Sequence, residues 1–305
     1  MQLILVTNCS GTKTAQPDLT LRARSLPQAK PEALAEVWNR RCESSRPLLP
    51  ASRLYSGRAF KIALEASVRA RANLFIVSAG FGLVHSGTAL PPYSLTITPH
   101  LDSILRKAVK GASFSASEWW TQILTQRETA HPFKTLLKRH PSSLLVIAVT
   151  NPYLRMIGDE LAALGPHLLE RVRIVGPRSA KSFPKQLSKL VMPYTSQLND
   201  RRMPIRGTEF DFASRAAAHF IDLIGSQGYT ASVNTHIAAV RGALSVLVAP
   251  NNPARSSASN ASLIRLISSF KRENTTRHKA LRSIRNSFGY ACGAERFELL
   301  WSSSK

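Results

Sequence analysis

Four short apolar runs constrain this chain more than any other feature. Gln2–Thr7, Leu74–Ser78, Leu144–Thr150 and Val172–Val175 are each one strand long and apolar almost throughout. A strand with one wet face alternates apolar and polar residues, whereas a strand covered on both faces does not, and that is the mark of a parallel sheet sandwiched between helices. Amphipathic segments separate the runs: Pro31–Arg41 with Trp38 on its apolar side, Arg58–Arg71 with Phe60, Ala63, Leu64, Ser67 and Val68 at helical spacing, Glu118–Leu124, and Met156–Leu164. Over residues 1–225 this alternation predicts an α/β domain, a three-layer sandwich around a mainly parallel central sheet. Such sheets bind ligands at the carboxyl ends of their strands.

Residues 226–305 read as a basic, mostly helical C-terminal region. A Pro-, Asn- and Ser-rich stretch from Ala249 to Ser262 is a linker or exposed turn. Beyond it, Ser262–Phe270 shows a helical apolar pattern. Thr276 then caps a second helix carrying Leu281, Ile284 and Phe288, with Gly289 as its stop. The same helix bears Arg277, Lys279, Arg282 and Arg285. These basic residues suit either a DNA-binding appendage of helix-turn-helix type or a helical cap with a solvated basic face.

Charge narrows the partner. Against 18 acidic residues stand 41 lysines and arginines in 305 residues, a net charge of +23. That surplus fits a polyanion, and double-stranded DNA is the obvious one, because each neutralised phosphate releases counterions. The run Arg178–Arg206 carries Arg178, Lys181, Lys185, Lys189, Arg201, Arg202 and Arg206 against the single acid Asp200, and is expected to contact phosphates. Three scattered cysteines and histidines without ligand spacing argue against a disulfide framework and a bound metal. No apolar run approaches the ~20 residues that span a bilayer, and Met1–Val6 lacks a basic leader. A cytoplasmic protein with no metal, cofactor, membrane association or obligate protein partner is therefore expected.

Five segments offer chemistry. Asn8-Cys9-Ser10-Gly11-Thr12-Lys13 follows the first run and can cradle an anion or nucleobase with backbone N–H groups. It lacks the spacing of a phosphate-binding Walker loop, and Cys9 is either a nucleophile or, with no histidine nearby, a buried structural residue. Tyr55-Ser56-Gly57-Arg58 opens a helix, where Tyr55 suits the core and a cation at position 58 suits a ligand anion better than the helix dipole. Ser78-Ala79-Gly80-Phe81-Gly82 permits close backbone approach, and Tyr93, after Pro91-Pro92, either stacks on a base or packs in a turn. Asn151-Pro152-Tyr153 places a side-chain amide at the sheet edge, able to orient a water or read a base. Asp211, before the Ala213–Ile224 helix, is either a functional carboxylate or a helix-start residue.

The first three segments, in this order with Pro92-Tyr93, resemble a bacterial and phage family with a uracil-DNA-glycosylase-like core, related to domains of archaeal tRNA-guanine transglycosylases. Asn151-Pro152-Tyr153 is similar to the water-positioning motif of uracil-DNA glycosylases. The resemblance covers roughly the first 220 residues. It lacks their His-Pro-Ser-Pro motif in place, since His140-Pro141-Ser142-Ser143 precedes a strand and lies ahead of Asn151. The resemblance implies a DNA glycosylase that flips a modified base from the duplex, and the charge and size are closest to antiviral members acting on glucosylated hydroxymethylcytosine of phage DNA. In that reading the catalytic residues are Asn8, Asn151 and Asp211. Cys9, Ser10, Thr12, Lys13, Tyr55, Arg58, Gly80, Phe81, Gly82 and Tyr93 contact the substrate, with Tyr93 or Phe81 stacking on the base. Lys181, Lys185, Arg201, Arg202, Arg206 and the four basic residues of the last helix contact DNA. Base exchange on DNA or tRNA, and DNA binding without catalysis, are the alternatives.

Overall fold

A computed structural model describes residues 2–176, 184–225, 229–250 and 255–304. The chain forms two compact units, Met1–Ala249 and Pro250–Lys305. The boundary lies in the Pro/Asn-rich stretch, not at 225/226. Helix Val233–Ser245, expected in the C-terminal region, belongs to the first unit because Val240 and Leu244 are buried in its core.

Five strands build the central sheet of the first unit: β1 (Leu3–Asn8), β2 (Asn73–Ser78), β3 (Gly82–His85), β4 (Leu144–Ala148) and β5 (Val172–Ile174). Their spatial order is β3-β2-β1-β4-β5. Every pairing is parallel except that of β3, which turns back on β2 through the tight turn at Gly82, φ +71°. The four apolar runs are thus the four parallel strands. In β1, Leu3 to Val6 are buried consecutively, as expected of strands covered on both faces.

Helices α1 (Pro31–Glu43), α3 (Ala116–Gln126) and α5 (Asn151–Ala162) pack together, and α2 (Arg58–Arg69) packs on α6 (Phe212–Gly225). Helix α4 (Pro132–Arg139) precedes β4, and α7 (Val233–Ser245) lies against α6. Helices on both sides of the sheet make the arrangement of a three-layer sandwich. Within α2 the buried face comprises Phe60, Ile62, Ala63, Ala66 and Ser67, while Val68 is exposed.

The second unit holds α8 (Asn260–Arg272), α9 (Arg277–Asn286) and α10 (Ala294–Ser303). Its small core comprises Leu263, Ile267, Ala280, Ile284, Cys292, Phe297, Leu300 and Trp301. The sequence pattern anticipates the first two helices but not α10, whose Phe297, Leu300 and Trp301 complete the core. Phe288, expected on the apolar stripe, is exposed. Among the described residues no helix is long and apolar enough to cross a membrane.

Candidate functional site

Chain order reverses between β1 and β4. β1 is followed by β2 on one side and β4 by β5 on the other, so the crevice at this switch point is where an open α/β sheet binds its ligand. Asn8 ends β1 and Asn151 opens α5, so the structure brings these two predicted residues to the same crevice.

Their states differ. Asn8 spans the strand ends: its Oδ1 accepts from the Thr150 N–H at 3.1 Å, and its Nδ2 donates to the Cys9 carbonyl at 3.0 Å. Asn151 lies in the first helical turn rather than in a loop, and Pro152 beside it fits there because the first N–H groups of a helix lack partners anyway. The Asn151 Oδ1 is buried and accepts no hydrogen bond among the described residues. A buried acceptor left unpaired costs about 1–3 kcal/mol unless a water or substrate group donates to it.

The Cys9–Lys13 loop folds over the strand end. Ser10 Oγ accepts from the N–H groups of Thr12 and Gly57, both at 3.1 Å, which ties the loop to the start of α2. Cys9 is buried, its Sγ 3.2 Å from the Tyr153 hydroxyl, in keeping with a structural cysteine. Lys13 Nζ donates to the Ser10 carbonyl at 3.1 Å and sits 4.2 Å above the Tyr93 ring. Burial lowers its pKa, and nearby Cys9 and Asp102 partly offset the shift.

Tyr93 is closed to an incoming base. It is 1% exposed, its hydroxyl lies 2.7 Å from Ser78 Oγ and 2.8 Å from the Tyr55 hydroxyl, and Phe81 packs edge-on at 4.9 Å. Burial raises the pKa values of both tyrosines, so they stay protonated. The close approach that Gly80 permits is to the protein's own rings, since a Cβ there would lie 2.9 Å from Tyr93 and 3.2 Å from Trp38. Trp38 and Trp119 donate to the carbonyls of Gly80 and Ala79 at 2.9 and 2.7 Å. Gly80, Phe81 and Tyr93 thus pack among the protein's own rings, while Gly82 opens β3 and lies against Leu124. The expected open stacking surface on Tyr93 or Phe81 is absent from this conformation, because satisfying three hydroxyls and two indoles buries those rings.

Asp211 belongs to a different corner. Its carboxylate, 5% exposed, accepts from the Thr208 N–H at 2.7 Å and Arg215 Nε at 2.9 Å, and pairs with Arg58 Nε at 3.2 Å. It closes a capping box with Thr208 ahead of α6. The anion that the cation at position 58 requires is therefore Asp211, and Arg58 also donates to the Arg206 carbonyl. Sequence reasoning missed Arg215, which is fully buried; its signal was the i,i+4 spacing from Asp211.

The basic residues divide as well. Lys181 and Arg178 lie outside the described residues. Lys185, Arg201 and Arg206 are exposed, while Arg202 is held by Asp200 at 2.7 Å, an interaction that holds the Asp200 carboxyl well below its usual range. On α9, Arg277, Lys279 and Arg282 are exposed, and Arg285 donates to the Cys292 carbonyl at 2.8 Å. A groove of about 480 Å³ there is lined by Arg255, His278, Lys279, Arg282 and Arg285. No family model, curated protein or solved structure matches the chain.

Proposed function

We propose that this protein is a DNA N-glycosylase that hydrolyses the bond between a modified base and deoxyribose, with glucosylated hydroxymethylcytosine of phage DNA as the substrate and antiviral defence as the role. The observation that carries the reading is the buried, unpaired Oδ1 of Asn151 at the switch-point crevice. An amide oxygen there accepts a hydrogen bond from a water and so aims the water's lone pair at C1′ of a flipped nucleotide. The water oxygen bonds to C1′ as the C1′–N bond breaks, the base leaves with the bonding pair, and the water's proton passes to solvent. Positive charge develops on the sugar and negative charge on the base, so N–H donors of the Ser10–Thr12 loop and the Lys13 ammonium stabilise the departing base. Asn8 acts as a positioning residue, since its bond to Thr150 fixes the start of α5. The net charge of +23 and the groove on α9 supply sequence-independent phosphate contacts.

A second reading, DNA binding without catalysis, is favoured by the burial of Tyr93 and Phe81. Mass spectrometry of bases released from a panel of modified phage DNAs separates the two. Free modified base with alkali-labile abasic sites is the result expected of the wild type. Binding of every DNA with release from none overturns the enzyme assignment, and incorporation of labelled free base marks base exchange instead.

A further inference from the structure

Away from the sheet edge, α3 and α5 border a half-open cavity of about 780 Å³. That volume falls in the range of small-molecule sites. Its walls are apolar where the helices meet, with Trp120, Leu124 and Met156. Its other character is charge. Glu118, Glu128, Asp159 and Glu160 line it beside one histidine, His131, and neither lysine nor arginine does, in a chain whose basic residues outnumber its acids 41 to 18. Four of the 18 acids thus face one apolar cavity, and none of them forms an ion pair with a lysine or arginine among the described residues.

The carboxylates are arranged rather than scattered. Glu160 is fixed on the floor: its two oxygens accept from Trp120 Nε1 at 2.7 Å and the Phe133 N–H at 3.0 Å. Burial raises its pKa despite those donors and the nearby His131. Glu118 lies in the first turn of α3, where its carboxylate also accepts from the Ser115 N–H, and Glu128 lies two residues beyond the end of that helix. The Trp120 ring stacks on Phe133 with centroids 6.4 Å apart, which stiffens the wall.

We propose that this cavity binds a small organic cation, an ammonium or amidinium group on an apolar or aromatic body, by apolar contact with Trp120, Leu124 and Met156 and charge pairing with the surrounding carboxylates. The site is independent of the sheet-edge crevice and of the glycosylase reading. An anion or nucleic acid is excluded from it by the same carboxylates, whereas the rest of the chain attracts them.

The test uses the full-length protein with benzamidine and spermidine as cationic probes and benzamide as the neutral isostere of benzamidine, followed by calorimetry and ligand-observed NMR. Benzamidine is expected to bind at least about tenfold tighter than benzamide, since one partly desolvated charge pair amounts to roughly 1.4 kcal/mol or more. The double variant Glu128→Gln/Asp159→Asn, both exposed positions, should remove that preference while leaving the melting temperature unchanged. Ala163→Trp, which fills the cavity from an exposed position, should abolish binding of both aromatic probes. Equal binding of benzamidine and benzamide overturns the proposal. So does binding that survives all three substitutions, or the lack of saturable binding by either cation up to about 10 mM, the weakest affinity expected for a ligand of this size.

Discussion

Two corners of the sandwich hold the residues that a glycosidic-bond enzyme would need, and they have opposite electrostatic states. In the Asp211 corner every group is answered: the carboxylate has a backbone N–H and two guanidiniums, and the buried Arg215 also donates to the Leu198 and Thr208 carbonyls at 3.2 and 3.0 Å. In the crevice between β1 and β4, Asn8 is answered but the Asn151 Oδ1 is not. A saturated network stabilises, and its members have no capacity left for a substrate. A buried acceptor with no donor costs stability, and it keeps the capacity to accept from a water or a substrate group. The contrast places Asp211 in the architecture and leaves Asn151 with the open acceptor on which the proposed reaction rests.

The largest effect expected is on stability at the first corner. Asp211→Asn leaves the Arg215 guanidinium buried without its carboxylate and should cost about 3–5 kcal/mol, read by urea denaturation. If the variant unfolds like the wild type yet loses base release, Asp211 belongs to the reaction and the contrast is broken. Asn151→Ala should do the opposite: about 10²–10³-fold slower base release with the denaturation midpoint unchanged or slightly raised, because an unpaired buried acceptor has been removed. Asn8→Ala should combine both effects, losing about 1–2 kcal/mol with its two hydrogen bonds and slowing release through the freed start of α5.

The basic groove tests whether charge is as unevenly assigned between the two units. Residues 250–305 hold ten lysines and arginines against three glutamates, a net +7. Arg277→Ser/Lys279→Ser/Arg282→Ser should lower the slope of log affinity against log salt by about 2–3 and leave sequence preference unaltered. An unchanged slope would mean that α9 only packs its own small core.

Smallest is a pH effect at Lys13. Burial lowers its folded pKa below the unfolded value, so between the two values the unfolded chain holds more protons and stability rises with pH. Below the folded value the cost of burying the charge is felt in full. Lys13→Met should therefore stabilise the protein most at neutral pH, with the gain shrinking as pH climbs toward the ordinary lysine value. A gain that grows with pH would show that the ammonium is stabilised by Tyr93 and the Ser10 carbonyl more than it is penalised.

The sequence by itself determined the four parallel strands but not β3, the antiparallel edge strand, which pairs with β2 through a turn. Short apolar runs without alternation, separated by amphipathic segments, fit buried parallel strands, and their loops share one edge by geometry, which is why Asn8 and Asn151 could be named together. It also determined the linker near Ala249 and the basic stripe of α9, since both follow from local composition and period. Tertiary structure decided what each polar group is for. Arg58 has an anion because Asp211, 153 positions later, folds against it. Tyr93 is a brace because Ser78 and Tyr55 converge on its hydroxyl, and Gly80 is small because Tyr93 and Trp38 press on it. The acidic cavity was invisible for the same reason: Glu118, Glu128, Asp159 and Glu160 lie on segments whose proximity no periodicity records. Local pattern follows from backbone geometry and burial, while satisfaction of a charge or hydrogen bond depends on partners that only the folded chain brings within reach.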